Sequence, residues 1–293
     1  MSTAILKRIA LVSMVIDHIA VFVPGMPIQM RWIGRLSAPL FLYVFVHSIE
    51  HTKNKETFIQ RLYGVGILTS ILVFCFNLLP RYQNPFDIIT SNIFSTYVAI
   101  FLLIDVMERV RNKAEGWLKK LVEYCLWQIV STIIITIVAF GLPKYQDAFT
   151  LLLAQISGNI FFNEGRLFFV VLGVGLYYAK KTRLSTAVVY MVILGLHITL
   201  TLCEIPQKIY VRASNTSNCF IEFACERFFG TIGYDVISFN KVHPLYNHFE
   251  WMMIFALPIM LLYNGKKGKY NKYFYYIFYP AHLAVLLCIQ QLI

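Results

Sequence analysis

The sequence predicts an all-α protein, a polytopic helix bundle embedded in a membrane. Three observations carry that reading. Hydrophobic residues make up 58% of the 293 and charged residues only 14%, with a mean hydropathy of +0.63, more apolar mass than one soluble core can hide. Apolar runs of membrane length recur along the chain, each ended by Pro and Gly or by a basic link. The net charge of +11 gathers in those links, as cytoplasmic loops require, so the lipid bilayer is an expected partner and nucleic acid is not.

The first run is residues 5 to 23, ILKRIALVSMVIDHIAVFV, with Lys7 and Arg8 at one end and Asp17 and His18 inside it. It has the charge and apolar core of a signal peptide but no A-x-A-like cleavage site, so a retained helix is expected. Pro24, Gly25 and Pro27 break the pattern, and a second run goes from about Ile33 to Glu50. The link HTKNKETFIQR precedes a third run, 58 to 79, and Pro80 to Asp87 reads as a loop on the opposite side. Runs four and five, 92 to 106 and 121 to 141, flank the basic stretch Arg109 to Lys120.

Residues 148 to 162 are apolar but short, and Gln155, Ser157, Gly158 and Asn159 interrupt them. Treating this segment as re-entrant or interfacial keeps Lys180, Lys181 and Arg183 on the cytoplasmic side after the sixth run, 167 to 179. The seventh run is 186 to 203, a polar loop covers 205 to 247, and the eighth and ninth runs follow around the basic link NGKKGKYNK. About nine full spans plus one partial element result, in a single domain covering 1 to 293. This arrangement puts 17 of the 26 Lys and Arg in the cytoplasm, with the amino terminus inside and both the 205 to 247 loop and the carboxyl terminus outside. There is no evident internal repeat of the kind that marks many transporters.

Polar residues inside such spans are functional candidates, because ionisable groups in hydrocarbon cost several kcal/mol. His18, His197 and His282 fall at similar depth and suggest a polar cavity, with helix-to-helix hydrogen bonding as the plainer role. Asp17 does not face His18, being adjacent to it on a helix, and an ion pair with Arg35 is its simpler role. Asn92, Glu164 and Arg166 are further cavity candidates. The run His47-Ser48-Ile49-Glu50-His51 spells H-x-x-E-H, a zinc-peptidase pattern, but no distant acidic ligand accompanies it and no metal is expected. In Asn264-Gly265-Lys266-Lys267-Gly268 two glycines permit tight turns and the lysines suit phosphate, although an ordinary cytoplasmic loop has the same composition. Cys219 and Cys225 share the polar loop and are either a local disulfide or two free thiols.

The segments LKRIALVSMVIDHI, IGRLSAPLFLYVFVHSIEHTKNK, NIFSTYVAIFL and LLYNGKKGKYNKYFYYIFYPAHL occur in this order. In them the chain resembles the TraX family of membrane acetyltransferases, named for proteins that acetylate the amino terminus of conjugative pilin. The resemblance points to Lys7, Asp17, His18, Gly34, Arg35, Pro39, Thr52, Asn264, Gly265, Lys266, Gly268, Tyr279, Pro280 and His282. In the wider class of transmembrane acyltransferases an arginine stands ten intervening residues before a first-helix histidine; here Lys7 holds that spacing to His18 and Arg8 does not.

The resemblance implies an enzyme of a bacterial cytoplasmic membrane that takes acetyl-CoA as donor and a peptide or glycan as acceptor. Lys7 or Arg8, with Asn264, Lys266 and Lys267, would hold the nucleotide end of the donor. His18 would act as general base or as a transient acyl carrier, with His282, Tyr279 or Asn92 donating to the developing oxyanion. Eleven residues separate Lys7 from His18, a rise of roughly 16 Å that a pantetheine arm can span. Arg35, Asn92, Glu164 and His197 would line the cavity, and Asp17 joins the catalytic candidates beside His18. The competing reading is a proton-coupled carrier or flippase that uses the same histidines and needs no CoA.

Overall fold

The computed structural model describes residues 1–77, 92–142, 146–216, 218–237 and 243–292. The loop expected at Pro80 to Asp87 lies outside them. Every regular element among the described residues is helical: α1 (Thr3–Phe22), α2 (Gln29–Gly34), α3 (Ser37–Glu50), α4 (Lys55–Asn77), α5 (Ile93–Arg111), α6 (Trp117–Gly141), α7 (Gln146–Ser157), α8 (Arg166–Ala179), α9 (Arg183–Leu202), α10 (Ile205–Ser214), α11 (Cys219–Ile232), a 3-10 turn at Glu250–Phe255, α12 (Ala256–Leu261) and α13 (Lys272–Leu292). Each of the nine expected runs coincides with one of these helices or with a consecutive pair.

Among the described residues, five segments are long and apolar enough to cross a membrane: Gln29–Glu50, Lys55–Asn77, Trp117–Gly141, Arg183–Leu202 and Tyr273–Gln290. Helix α1 is long enough but carries Lys7, Arg8 and Asp17, and α5 carries Asp105, Glu108, Arg109 and Arg111. Helix α6 shows what solvent these helices expect. Its inward stripe is Gln128, Ser131 and Ile135, while Leu126, Ile129 and Ile137 on other faces are each more than half exposed. A helix with amides inside and branched hydrocarbons outside is stable against lipid and not against water. The chain is an integral membrane protein.

Two of the expected runs are broken. The run at 33 to 50 is split into α2 and α3 by a turn at Arg35 and Leu36. Pro39 enters the first turn of α3, where its missing N–H is tolerated but cannot bond back to the Arg35 carbonyl. The eighth run is a 3-10 turn followed by a six-residue helix, Ala256–Leu261. The segment at 205 to 247 is also not simply a polar loop, since it contains α10 and α11. Asn218 caps α11 through its side chain, accepting from the Phe220 and Ile221 N–H groups, and Gly233 ends the helix in the left-handed region. Cys219 and Cys225 are free. Both sit on α11, six residues and therefore roughly 9 Å apart along its axis, too far for a disulfide.

The chain forms two compact units, each built from two stretches of sequence. Unit 1 is Met1–Ser48 with Val171–Asn271, and unit 2 is Ile49–Val170 with Lys272–Ile293. In unit 1, α1 packs on α2, and α9 packs on the 3-10 turn, α12 and α10. The buried Tyr190 of α9 donates its hydroxyl to the Met253 carbonyl at 2.6 Å. In unit 2, α7 lies against α4, α6 and α5, and α13 packs on α4.

Candidate functional site

Helix α1 carries Lys7, Arg8, Asp17 and His18. Its buried face is Leu6, Ala10, Met14, His18 and Phe22, a stripe at helical spacing. Eleven residues at about 100° each bring Lys7 within about 20° of His18 on the same side, three turns away. His18 is buried, with its ring edge toward Phe22 at 6.1 Å.

The amino-terminal end of α1 docks on the link after α12. Backbone N–H groups of Thr3 and Ala4 donate to the Lys266 and Lys267 carbonyls at 2.9 and 3.1 Å, and the Asn264 N–H donates to the Met1 carbonyl at 2.9 Å. These bonds satisfy helix-end donors that would otherwise need a cap. Asn264 also accepts from the Lys266 N–H at 3.1 Å, closing a tight turn. Gly265 and Gly268 lie at φ +74° and +69°. At Gly268 a Cβ would come within 2.6 Å of Ser2 Oγ and 2.9 Å of Ala4 Cβ, so the close approach needs a glycine.

This docking gathers the expected donor-binding residues. Lys7 Nζ lies 4.2 Å from the centre of the Tyr270 ring and Lys267 Nζ 5.9 Å from it, a shared cation–π platform. Arg8 is exposed. The alternation of half-buried Lys7 and exposed Arg8 follows from one residue's rotation about the helix, and it favours Lys7 as the cation on the His18 side.

Asp17 points elsewhere, at α2. Its carboxylate pairs with Arg31 at 2.9 Å and with Arg35 at 3.6 Å. The sequence reading chose Arg35, and the nearer partner is Arg31, one turn earlier on the same face. Gly34 makes the approach possible: a Cβ there would stand 2.1 Å from Asp17 Oδ1 and 2.3 Å from Asp17 Cβ. Both guanidiniums also lie over Phe249, at 5.8 and 5.0 Å. Asp17 therefore fixes the pairing of α1 and α2 and leaves His18 about 100° further around the helix.

His197 bonds Tyr234 through Nδ1 at 3.0 Å, which ties α9 to the end of α11. His47 packs its ring against Tyr43 at 4.6 Å and Tyr263 at 4.9 Å. The Tyr263 hydroxyl is 3.1 Å from Thr3 Oγ1. Among the described residues no group of three His, Cys, Asp or Glu side chains is placed to hold a metal ion.

Unit 2 holds the other candidates. The Tyr279 hydroxyl accepts from the Ile93 N–H at 3.2 Å and hydrogen-bonds Glu164, with Phe94 edge-on to the Tyr279 ring at 5.1 Å. Three residues on, His282 bonds the Phe278 carbonyl at 2.9 Å and stacks on the Phe278 ring at 5.2 Å. Pro280 lies inside the same helix. Asn92, 1% exposed, donates Nδ2 to the Gly66 carbonyl at 3.0 Å, Ser70 Oγ at 2.6 Å and Gln155 Oε1 at 3.3 Å. Its donors are committed to the protein's own acceptors. Gly66 leaves room for Gln155, whose Nε2 would be 2.4 Å from a Cβ at that position.

The centre of this unit is the link from Gly158 to Gly165 between α7 and α8, where the sequence reading marked Gly158 and Asn159 as interruptions and Glu164 as a cavity candidate but did not see the hydrogen-bond network. Asn159 Nδ2 donates to Ser131 Oγ and Thr132 Oγ1 at 2.9 and 3.0 Å, while its Oδ1 accepts from the Phe161 and Phe162 N–H groups. Gln128 donates to the Gly158 carbonyl and accepts from the Ile160 N–H. Asn163 accepts from Thr96 and donates to the Asn159 and Ile160 carbonyls. Gly158 and Arg166, at φ +63° and +50°, bracket the link. The one signal available was the Asn159–Asn163 pair within an apolar stretch.

Searches of curated proteins and of solved structures return no match. The sequence profile described as TraX protein matches residues 2–290, which includes α1, the Asn264–Gly268 link, Tyr279 and His282. The chain belongs to the TraX family.

Proposed function

We propose that this protein is an acetyltransferase that moves an acetyl group from cytosolic acetyl-CoA to an amine or hydroxyl of an acceptor outside the cytoplasm. The TraX family is associated with pilin acetylation, which suggests a transferase. The observation that carries the finer reading is the layout of α1: Lys7, Lys267 and Tyr270 cluster at its docked end, and His18 sits three turns along the same face. In this reading the lysines and Asn264 hold the phosphates of the donor. The helix-end donors of Thr3 and Ala4 are already used, so side-chain cations and not the helix terminus supply the charge. The pantetheine arm then runs along α1 to place the thioester at His18.

A neutral imidazole is suited to take the acceptor's proton as it attacks. The acceptor nitrogen or oxygen bonds to the acetyl carbon, its proton passes to His18, the carbon–sulfur bond breaks, and the imidazolium returns that proton to the departing CoA thiolate, which regenerates the base.

The accompanying topology is nine spans with α7 as a re-entrant segment, the amino terminus in the cytoplasm of a bacterium and the carboxyl terminus outside. Two features support it. Helix α7 has 12 residues, roughly 18 Å, and the polar backbone after it is satisfied by buried amides and hydroxyls, as non-helical chain at membrane depth must be.

The experiment is CoA binding by the purified protein, read as a thermal shift. Saturating CoA should raise Tm by several degrees, as a ligand bound only to the native state does, and the shift should disappear in the Lys7→Gln, Lys267→Gln double variant. An unchanged shift in that variant would place the donor elsewhere.

A further inference from the structure

Helix α11 is turned inside out for a water-exposed segment. None of its residues is buried, and it packs chiefly on α10. Phe220, Phe223 and Phe228 recur at helical spacing on its outer face and are 77%, 52% and 61% exposed. Its acids face the other way: Glu222 accepts from the Tyr210 hydroxyl of α10 at 3.0 Å, and Glu226 pairs with Arg227 at 2.8 Å. The exposed ionised side chains of α10 and α11 are Lys208, Arg212 and Arg227, all cations.

We propose that the α10–α11 hairpin lies in the interface of an anionic bilayer, with the phenylalanine stripe in the acyl boundary and the three cations at the headgroups. Continuity with the membrane favours lipid over a protein partner, because α10 begins three residues after α9, a segment long and apolar enough to span. Length and charge together argue against a crossing: the 10 and 14 residues rise roughly 15 and 21 Å and carry Lys208, Arg212, Glu222, Glu226 and Arg227, whereas α8, also of 14 residues, has Arg166 at its start as its one charged residue. Exposed phenylalanines on α11, with Arg227 beside them and two further exposed cations on α10, match the composition of helices that rest at this depth. Arg227 lies 5.3 Å from the Phe223 ring centre and can follow the ring inward while its guanidinium stays with phosphate.

The test uses the full chain reconstituted in vesicles of phosphatidylethanolamine and phosphatidylglycerol. A photoreactive p-benzoylphenylalanine replaces Phe223 or Phe228, and, as an inward control, Glu222. The outward positions should give lipid adducts at least about tenfold more often than the control, which should crosslink within the chain. Adducts to a second copy or to another polypeptide would overturn the proposal, as would the absence of lipid adducts. In a second arm, phosphatidylglycerol should raise the wild-type Tm relative to phosphatidylcholine vesicles, and Lys208→Gln, Arg212→Gln, Arg227→Gln together should remove most of that rise. A rise that survives intact would overturn the headgroup contact. Both arms are independent of acetyl transfer and stand or fall without it.

Discussion

The two units bury polarity in different currencies. Unit 1 uses charge: Asp17 against Arg31 and Arg35, half-buried Lys7 over Tyr270, and a histidine on the same helix as Asp17 and Lys7. Unit 2 relies mainly on neutral amides and hydroxyls, with Gln128, Asn159 and Asn163 satisfying the backbone of the Gly158–Gly165 link beside one carboxylate, Glu164, at the Tyr279 hydroxyl. Fixed charge in a low-dielectric setting is costly and survives where it binds or reacts with something. Amides carry no net charge and can hold irregular backbone at membrane depth. Under the proposed function, unit 1 would carry the donor-binding cations and the base, and unit 2 would chiefly support them.

The largest effect that would sharpen this contrast is on turnover. His18→Ala should lower acetyl transfer by about 10²–10⁴-fold, the range for loss of a general base, with the protein still folded in detergent. Near-normal turnover would remove His18 from the chemistry. In unit 2 the expected loss is of stability. Asn159→Ala strips a buried hub of two donated and two accepted bonds and should destabilise by about 2–4 kcal/mol, read as a fall in Tm with transfer per folded molecule preserved. If Tm held and transfer vanished, the division of labour between the units would be wrong.

Two smaller effects test unit 1. Gly34→Ala places a Cβ against Asp17 and should cost about 1–3 kcal/mol through overpacking, again visible in Tm. Lys7→Gln should raise KM for acetyl-CoA about tenfold with kcat nearly unchanged, since a cation on the distal phosphates binds ground and transition states alike. A fall in kcat at constant KM would move Lys7 from donor binding to the reacting centre.

The charged centre was the more legible of the two. Lys7 and His18 declare themselves because ionisable residues are rare in an apolar run, and a spacing of eleven residues is by itself enough to put both on one helical face. Arg35 was found as a partner for Asp17 while Arg31 was not, because sequence order does not say which of two residues on one face comes closer. Neutral hubs such as Asn159 and Gln155 carry no motif, and their roles depend on Ser131, Thr132 and Gly66 from other helices. The segment at 205 to 247 was read by its net polarity, which hides the phenylalanine stripe; only the helical period of α11 separates Phe220, Phe223 and Phe228 from Glu222 and Glu226.

Acetyl transfer is tested most directly by release of free CoA thiol from acetyl-CoA by the purified protein, with host envelope extract supplied as the source of acceptor. Release that depends on both protein and extract is the expected result. No release under those conditions, together with no thermal shift from CoA, would contradict an acetyltransferase and favour a carrier that uses the same histidines.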